Sequence, residues 1–160
     1  MYNFRFLIIL TFLGLFITSI FSQGTFTSSN NGDWNDSDTW TLSGSDTNGD
    51  SIPDNNDIVI IDGETVSLAG ISDVSSITIS SGTLNLSGSL LRIWRNNATL
   101  NNNGTINGTG TIRTITNHII SGSGTYNNIS FTHDYKLTID ADLTLTNHEV
   151  SSNSSLEISS

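Results

Sequence analysis

The sequence predicts an all-β protein, a right-handed parallel β-helix of about 20 residues per coil with an N-terminal cap rich in Trp and Asp. Three observations favour this fold class. Short runs from Ile58 onward alternate apolar and polar residues, which is typical of strands with one buried face. These runs recur in three series that share one spacing. Gly, Ser and Asn fill the intervals, and these residues form tight corners.

The three series of apolar residues recur roughly every 20 residues. The first series is Ile77/Ile79, Ala98/Leu100, His118/Ile120, Leu137/Ile139 and Leu156/Ile158. The second is Leu84/Leu86, Ile106, Tyr126 and Leu143/Leu145, and the third is Leu91/Ile93, Ile112/Ile115, Ile129/Phe131 and Val150. Three series at one period indicate three faces of a coil, with turns stacked roughly 4.8 Å apart. The alternative is a β-sandwich, but sandwich strands usually recur every 8 to 12 residues or so with hairpin signals, and the strands here follow one another more closely.

The N-terminal residues 1–23 have the layout of a secretory signal peptide. Arg5 supplies a positive charge, residues 6–21 are mostly apolar, and Ser22 is a small residue at the expected cleavage point. The alternative is an uncleaved membrane anchor, although the apolar run is shorter than the roughly 20 residues of a membrane span. The sequence therefore predicts a secreted protein, extracellular or on the outer cell surface, with no membrane span after cleavage.

Composition narrows the partners of the chain. The 160 residues include 15 Asp and Glu against 5 Lys and Arg, and the net charge is −10. Such a chain repels nucleic acid, whose phosphates are neutralised by Lys and Arg, so no nucleic-acid partner is expected. There is no Cys, so stability must come from packing, backbone ladders or a metal ion rather than from disulfides.

The segment 46–57 carries closely spaced oxygen ligands on Asp46, Asn48, Asp50, Asp54 and Asp57. Calcium takes six to eight or so oxygen ligands, and such alternation turns successive side chains toward one centre. An EF-hand would require flanking helices, whereas a strand follows here. The segment resembles a single thrombospondin type 3 calcium repeat, and the resemblance implies a structural calcium ion. The alternative is a solvated acidic loop.

A longer set of motifs carries a second resemblance. In chain order they are Gly32-Asp33-Trp34, Asp38-Thr39-Trp40, Pro53, residues 57–63, Thr65-Val66-Ser67-Leu68, Ile77-Thr78-Ile79 and residues 81–86. This set resembles the start of the extracellular β-helix domain family named for its eight glycines. It is also similar to repetitive surface proteins secreted by Bacteroidota-type bacteria. The resemblance implies a β-helix used for adhesion or polysaccharide contact, in a family whose longer members also include catalytic domains elsewhere.

The three Trp residues have different predicted roles. Trp34 and Trp40 lie in the cap region, where packing across the first coil is favoured over stacking on sugar rings. Trp94 lies between Arg92 and Arg95. If Ile93 points inward, Trp94 points outward, and an exposed Trp flanked by Arg suits the binding of a sugar or a carboxylate. A stacking role between coils is the alternative.

The three His residues are not predicted to bind metal. His118, His133 and His148 are evenly spaced, but their spacing is shorter than the coil period, so they cannot form one stacked column. We expect them to be turn and surface residues.

Together these observations divide the chain into a signal peptide at 1–23, a cap with the acidic loop at 24–57 and solenoid coils at 58–160, which we expect to continue in a longer protein. The predicted function is a non-enzymatic surface module for adhesion or glycan contact, with an extracellular glycan or a cell-surface protein as partner. One alternative is the non-catalytic N-terminal part of a longer polysaccharide-degrading β-helix enzyme. Another is a purely structural stalk.

Overall fold

The computed structural model describes residues 23–134, 137–140, 144–146, 149–152 and 156–159. Parallel coils stack into an all-β solenoid of about 4 turns, about 20 residues apart, which confirms the predicted fold class. The predicted signal peptide, apart from Gln23, lies outside the described residues, as does His148. Within the described part of the chain, no helix is long and apolar enough to cross a membrane.

Three sheets form the sides of the solenoid. Sheet A contains β1 (Thr25–Ser28), β3 (Trp40–Ser43), β4 (Ile58–Ile61), β7 (Ser76–Ile79), β10 (Ala98–Asn102), β13 (His118–Ser121), β16 (Leu137–Asp140) and β19 (Leu156–Ser159). Sheet B contains β2 (Gly32–Asp33), β5 (Thr65–Leu68), β8 (Thr83–Leu86), β11 (Thr105–Asn107), β14 (Thr125–Asn127) and β17 (Thr144–Thr146). Sheet C contains β6 (Ile71–Val74), β9 (Leu90–Ile93), β12 (Thr111–Thr114), β15 (Ser130–His133) and β18 (Glu149–Ser152).

The core consists of apolar columns that run along the stack. In the strands from β4 to β15, alternate residues point inward, and the inward residues of successive coils lie directly over one another. The columns include Val59, Ile77, Leu100 and Ile120 in sheet A, Val66, Leu84, Ile106 and Tyr126 in sheet B, and Leu91, Ile112 and Phe131 in sheet C. Each buried Leu or Ile contributes roughly 1.5–3 kcal/mol by leaving water, so the period-two alternation is the main source of stability.

The register of sheet A differs from the prediction at one coil. Ile77 pairs with Leu100 rather than Ala98, and Asn102 lies over Ile79. The shift arises because residues 94–97 form a long corner before β10. Asn102 is fully buried, and its amide compensates: Oδ1 accepts a hydrogen bond from the N–H of Gly104 at 3.0 Å and Nδ2 donates to the carbonyl of Thr125 at 3.2 Å.

The third predicted series was also wrong at two positions. Phe131 rather than Ile129 lies over Ile112, because Ile129 precedes β15. Strand β12 ends at Thr114, which pairs with Ile93 and is buried, whereas Ile115 lies beyond the strand and is only half-buried. An inward position needs the same parity as Ile112. Thr114 has that parity and Ile115 does not, so the smaller, polar residue enters the core.

The prediction that the histidines lie at turns and on the surface was wrong for His118 and His133. Both are 2% exposed, His118 under sheet A beside Ala98 and His133 under sheet C beside Thr114. They lie in different sheets and so form no single column. Burial lowers the pKa of both imidazoles. Each therefore stays neutral in the folded protein near pH 7.

The first coil is closed by a hairpin instead of a third parallel strand. A short 3₁₀ helix, Ser37–Thr39, returns the chain so that β3 pairs antiparallel with β1 and becomes the edge strand of sheet A. The ring of Trp40, the first residue of β3, packs edge to face against the ring of Trp34, with ring centroids 5.2 Å apart. Both indoles are buried, so neither presents a ring face to a ligand.

Candidate functional site

The corner between sheets C and A changes length from coil to coil. Ser75 alone joins β6 to β7, whereas residues 94–97 join β9 to β10 in the next coil. In the coil before, residues 44–57 precede β4 and form the acidic loop. The one-residue corner at Ser75 therefore lies between two longer segments, residues 44–57 in the preceding coil and residues 94–97 in the next. This difference in length leaves a recess at the side of the solenoid.

The recess is a groove of about 390 Å³. Its lining residues are Gln23, Thr47, Asn55, Asn56, Ser75, Trp94 and Arg95. Trp94 and Arg95 are two of the three predicted ligand-binding residues. The other lining residues were missed, because short polar residues at corners carry no sequence signal that brings the acidic loop and the Trp94 segment together.

Trp94 presents its indole to solvent. Ile93 is fully buried and Trp94 is 40% exposed, so the two side chains lie on opposite sides of the chain as alternation requires. The Arg92 guanidinium carbon lies 5.4 Å from the centroid of the Trp94 ring. A cation at this distance is attracted to the indole face and restricts its orientation.

Arg92 itself is not among the groove-lining residues. Its guanidinium forms a two-point ion pair with Asp73 of the preceding coil, with Nη2 2.7 Å from Oδ2. The hydrogen bonds that Arg92 donates to the Asp73 carboxylate raise the pKa of Arg92. Of the three residues predicted to bind a ligand, Arg92 therefore contacts Trp94 rather than the groove.

Arg95 lies in the groove and is tied to neutral groups. Its Nη1 donates a hydrogen bond to Oε1 of Gln23 at 2.7 Å, and Nε2 of Gln23 donates to the Ser75 hydroxyl at 2.8 Å. The Arg95 carbonyl accepts from the N–H of Ala98 and from the Thr116 hydroxyl, each at 3.1 Å. Backbone and side chain are thus both anchored.

The acidic loop brings three of its five predicted ligand residues together. Single carboxylate oxygens of Asp46, Asp54 and Asp57 all lie within 4.8 Å of one another. Asp57 is fully buried, and its carboxylate accepts hydrogen bonds from the N–H of Gly24 at 3.2 Å and of Asp54 at 2.9 Å. Burial, more than the charges of Asp54 and Asp46, raises the pKa of Asp57.

The other two predicted ligands bond within the loop. Nδ2 of Asn48 donates to Oδ2 of Asp50 at 3.1 Å, and Oδ1 of Asp50 accepts from the N–H of Ile52 at 2.8 Å. Asp50 lies outside the three-carboxylate group. Three convergent carboxylates fit a hard divalent cation, for which carbonyls and water complete the oxygen shell.

Comparison of the chain with protein-family models, with curated proteins and with solved structures finds no match. The two family resemblances therefore rest only on the sequence motifs that carry them. Function is inferred from the chemistry of the groove and of the acidic loop.

Proposed function

We propose that the chain is a secreted or cell-surface β-solenoid module that binds extracellular glycans through the groove beside Trp94 and does not catalyse a reaction. The exposed indole of Trp94 at the wall of a polar groove carries this proposal. An aromatic ring offers a large apolar face, and a polar edge, in a position open to solvent. The C–H face of a pyranose ring packs against such a surface.

The remaining lining supports a sugar over an apolar ligand. The hydroxyl of Thr47 and the amides of Asn55 and Asn56 can both donate and accept hydrogen bonds. Sugar hydroxyls need both functions. A groove of about 390 Å³ lies within the usual range of small-ligand sites, roughly 300–1,000 Å³.

Calcium has a structural role in this proposal. The ion binds the carboxylates of Asp46, Asp54 and Asp57 and stabilises the acidic loop. The same loop supplies Thr47 and the two Asn residues of the groove. Neutralising the buried Asp57 removes the cost of holding an ionised carboxylate away from water.

Fluorescence tests the proposal, because Trp94 is the exposed member of the three Trp residues. Soluble polysaccharides are titrated while iodide quenching of the indole emission is followed, and a bound sugar should protect Trp94 from the quencher. Calorimetry then compares Trp94→Ala with Ile71→Ala, which removes another exposed apolar side chain, 63% exposed, on β6.

The expected result is a loss of affinity of about tenfold or more for Trp94→Ala and little change for Ile71→Ala. If no polysaccharide binds, or if Trp94→Ala binds as well as the parent, the proposal is wrong. Release of reducing ends from a bound polysaccharide would instead favour the alternative of a polysaccharide-degrading enzyme.

A further inference from the structure

We infer that the groove prefers glycans in which one sugar carries a carboxylate and its neighbours are neutral. Arg95 binds the carboxylate, and Trp94 stacks on the ring of the same sugar. This inference rests on the proposed function and names the ligand class of the same groove. It depends on three features of Arg95: its missing acidic partner, its fixed position and the charges around it.

Arg95 differs from the other Arg residues that the structure describes. Arg92 pairs with Asp73 and Arg113 pairs with Asp134, whose Oδ2 lies 2.9 Å from Nη2. Among the described residues, Arg95 has no carboxylate within ion-pair distance and bonds to the neutral amide of Gln23. A guanidinium presents several N–H groups in a planar fork that matches a carboxylate. In the part of the chain that the structure describes, Arg95 is therefore the Arg available to an anionic ligand.

The position of Arg95 is set before any ligand arrives. Cleavage after Ser22 leaves Gln23 in the secreted chain, where it connects the guanidinium to Ser75 in the lining of the groove. The Arg95 carbonyl accepts hydrogen bonds from the N–H of Ala98 and from the Thr116 hydroxyl of the next coil. Trp94 is adjacent in sequence and lines the same groove. A site that is already ordered loses less entropy on binding.

The surrounding charge limits how many anionic groups the groove accepts. Asn55 and Asn56 lie between Asp54 and Asp57 in the acidic loop, and the whole chain has a net charge of −10. The carboxylates of Asp50 and of the three-carboxylate group together outweigh the two positive charges of a calcium ion. A glycan with a carboxylate on every sugar would place further negative charges near this loop, where like charges are unfavourable. One Arg without a carboxylate partner among the described residues, in an acidic protein, suits one carboxylate within an otherwise neutral glycan.

The test uses matched pairs of ligands. Oligosaccharides of β-glucan, glucomannan and galactan are each measured before and after oxidation of a single C6 hydroxyl to a carboxylate, with fully oxidised samples as a third set. We expect the singly oxidised form to bind about tenfold more tightly than its neutral parent, in line with a charge-assisted hydrogen bond. The gain should fall as salt rises, and the fully oxidised form should bind less tightly.

Variants assign the gain to Arg95. Arg95→Gln should bind the singly oxidised and neutral forms equally, while Arg113→Gln, which removes a paired Arg outside the groove, should keep the difference. The unmutated protein could bind the neutral oligosaccharide as tightly as the singly oxidised one, with binding that still depends on Trp94. In that case the inference fails and the proposed function stands. Tighter binding of the fully oxidised form also overturns it. Absence of binding to every oligosaccharide contradicts both.

Discussion

The indole N–H of Trp40 donates a hydrogen bond to the backbone carbonyl of Trp34, with Nε1 and O 2.8 Å apart. The two rings also meet edge to face under β3, and Phe26 packs against the Trp40 ring with centroids 6.4 Å apart. The N-terminal end of the stack is thus closed by aromatic packing and one buried hydrogen bond. This arrangement lets the cap cover the first apolar columns of the core.

Replacing Trp40 by Phe should separate these two contributions. Phe retains much of the ring packing but leaves the Trp34 carbonyl without its partner, which costs about 1–3 kcal/mol for a buried polar group. Trp34→Ala, which removes a fully buried indole, should cost about 3–5 kcal/mol. Urea unfolding measures both. Equal losses for the two variants would show that the hydrogen bond and the packing are not separable in this way.

The close stacking of coils makes Gly82 difficult to replace. Its φ is +84°, and a Cβ atom there would overlap the carbonyl oxygen of Glu64 in the preceding coil. Gly88 has a similar φ of +68°, but a Cβ atom there would meet nothing within 4 Å. Gly88→Ala should cost only the left-handed backbone penalty, about 1–2 kcal/mol.

Gly82→Ala should cost clearly more than Gly88→Ala, because the coils would have to move apart at that corner. The difference between the two free energies of unfolding measures the steric cost of the close contact between coils, separately from the cost of the left-handed backbone conformation. If the two variants are equally stable, the coils adapt at the corner without loss.

Stability should fall in mild acid because His133 is buried. Burial lowers its pKa below the ordinary value of 6.5, so the unfolded chain binds the proton more tightly than the folded chain. The contribution of the neutral His133 to the free energy of unfolding is fully present above pH 6.5. It is lost as the pH falls from 6.5 through the lowered pKa of His133. Both ring nitrogens of His133 lack a hydrogen-bond partner among the described residues.

His133→Leu should therefore flatten the loss of stability between about pH 7 and pH 5 without weakening the fold at pH 7. His118→Leu is the comparison. Its Nδ1 lies 2.8 Å from the Thr116 carbonyl, so this variant also removes a hydrogen bond and should be less stable at pH 7. Thermal melts across this pH range measure both effects, and an unchanged pH profile for His133→Leu would contradict the assignment.

Calcium should raise the melting temperature. Burial raises the pKa of Asp57 above its ordinary value of 3.8. The folded state is therefore destabilised as the pH rises from 3.8 through the raised pKa, because the buried carboxylate ionises. In a chelator at neutral pH this destabilisation is present. A cation bound to the three carboxylates offsets this destabilisation of the folded state. At a calcium concentration about 100 times the dissociation constant, the gain is about 2.7 kcal/mol.

Two conservative variants locate the ion. Asp54→Asn should abolish the calcium-dependent shift, because Asp54 belongs to the three-carboxylate group. Asp50→Asn should preserve the shift, because its carboxylate lies outside that group and an Asn oxygen can still accept from the N–H of Ile52. No shift in the parent protein, or equal shifts in both variants, would leave the acidic loop as a solvated turn.

The sequence by itself determined the solenoid. Alternation in runs such as β4 and β8 specifies which residues face inward, and the shared period of the runs specifies that they stack as coils. The same alternation correctly placed Trp94 outside once Ile93 was inside. The close spacing of carboxylates in the acidic loop also predicted a cation site without tertiary information, and that site stays a prediction.

Tertiary structure decided the register and the groove. The length of each corner sets which residue lies over Ile77, and a period of about 20 residues does not resolve Ala98 from Leu100. The groove joins Gln23 to Arg95, which are separated by 72 residues in the chain. These contacts depend on how far each corner projects from the stack. That distance is set by packing between coils, and no local pattern of residues encodes it.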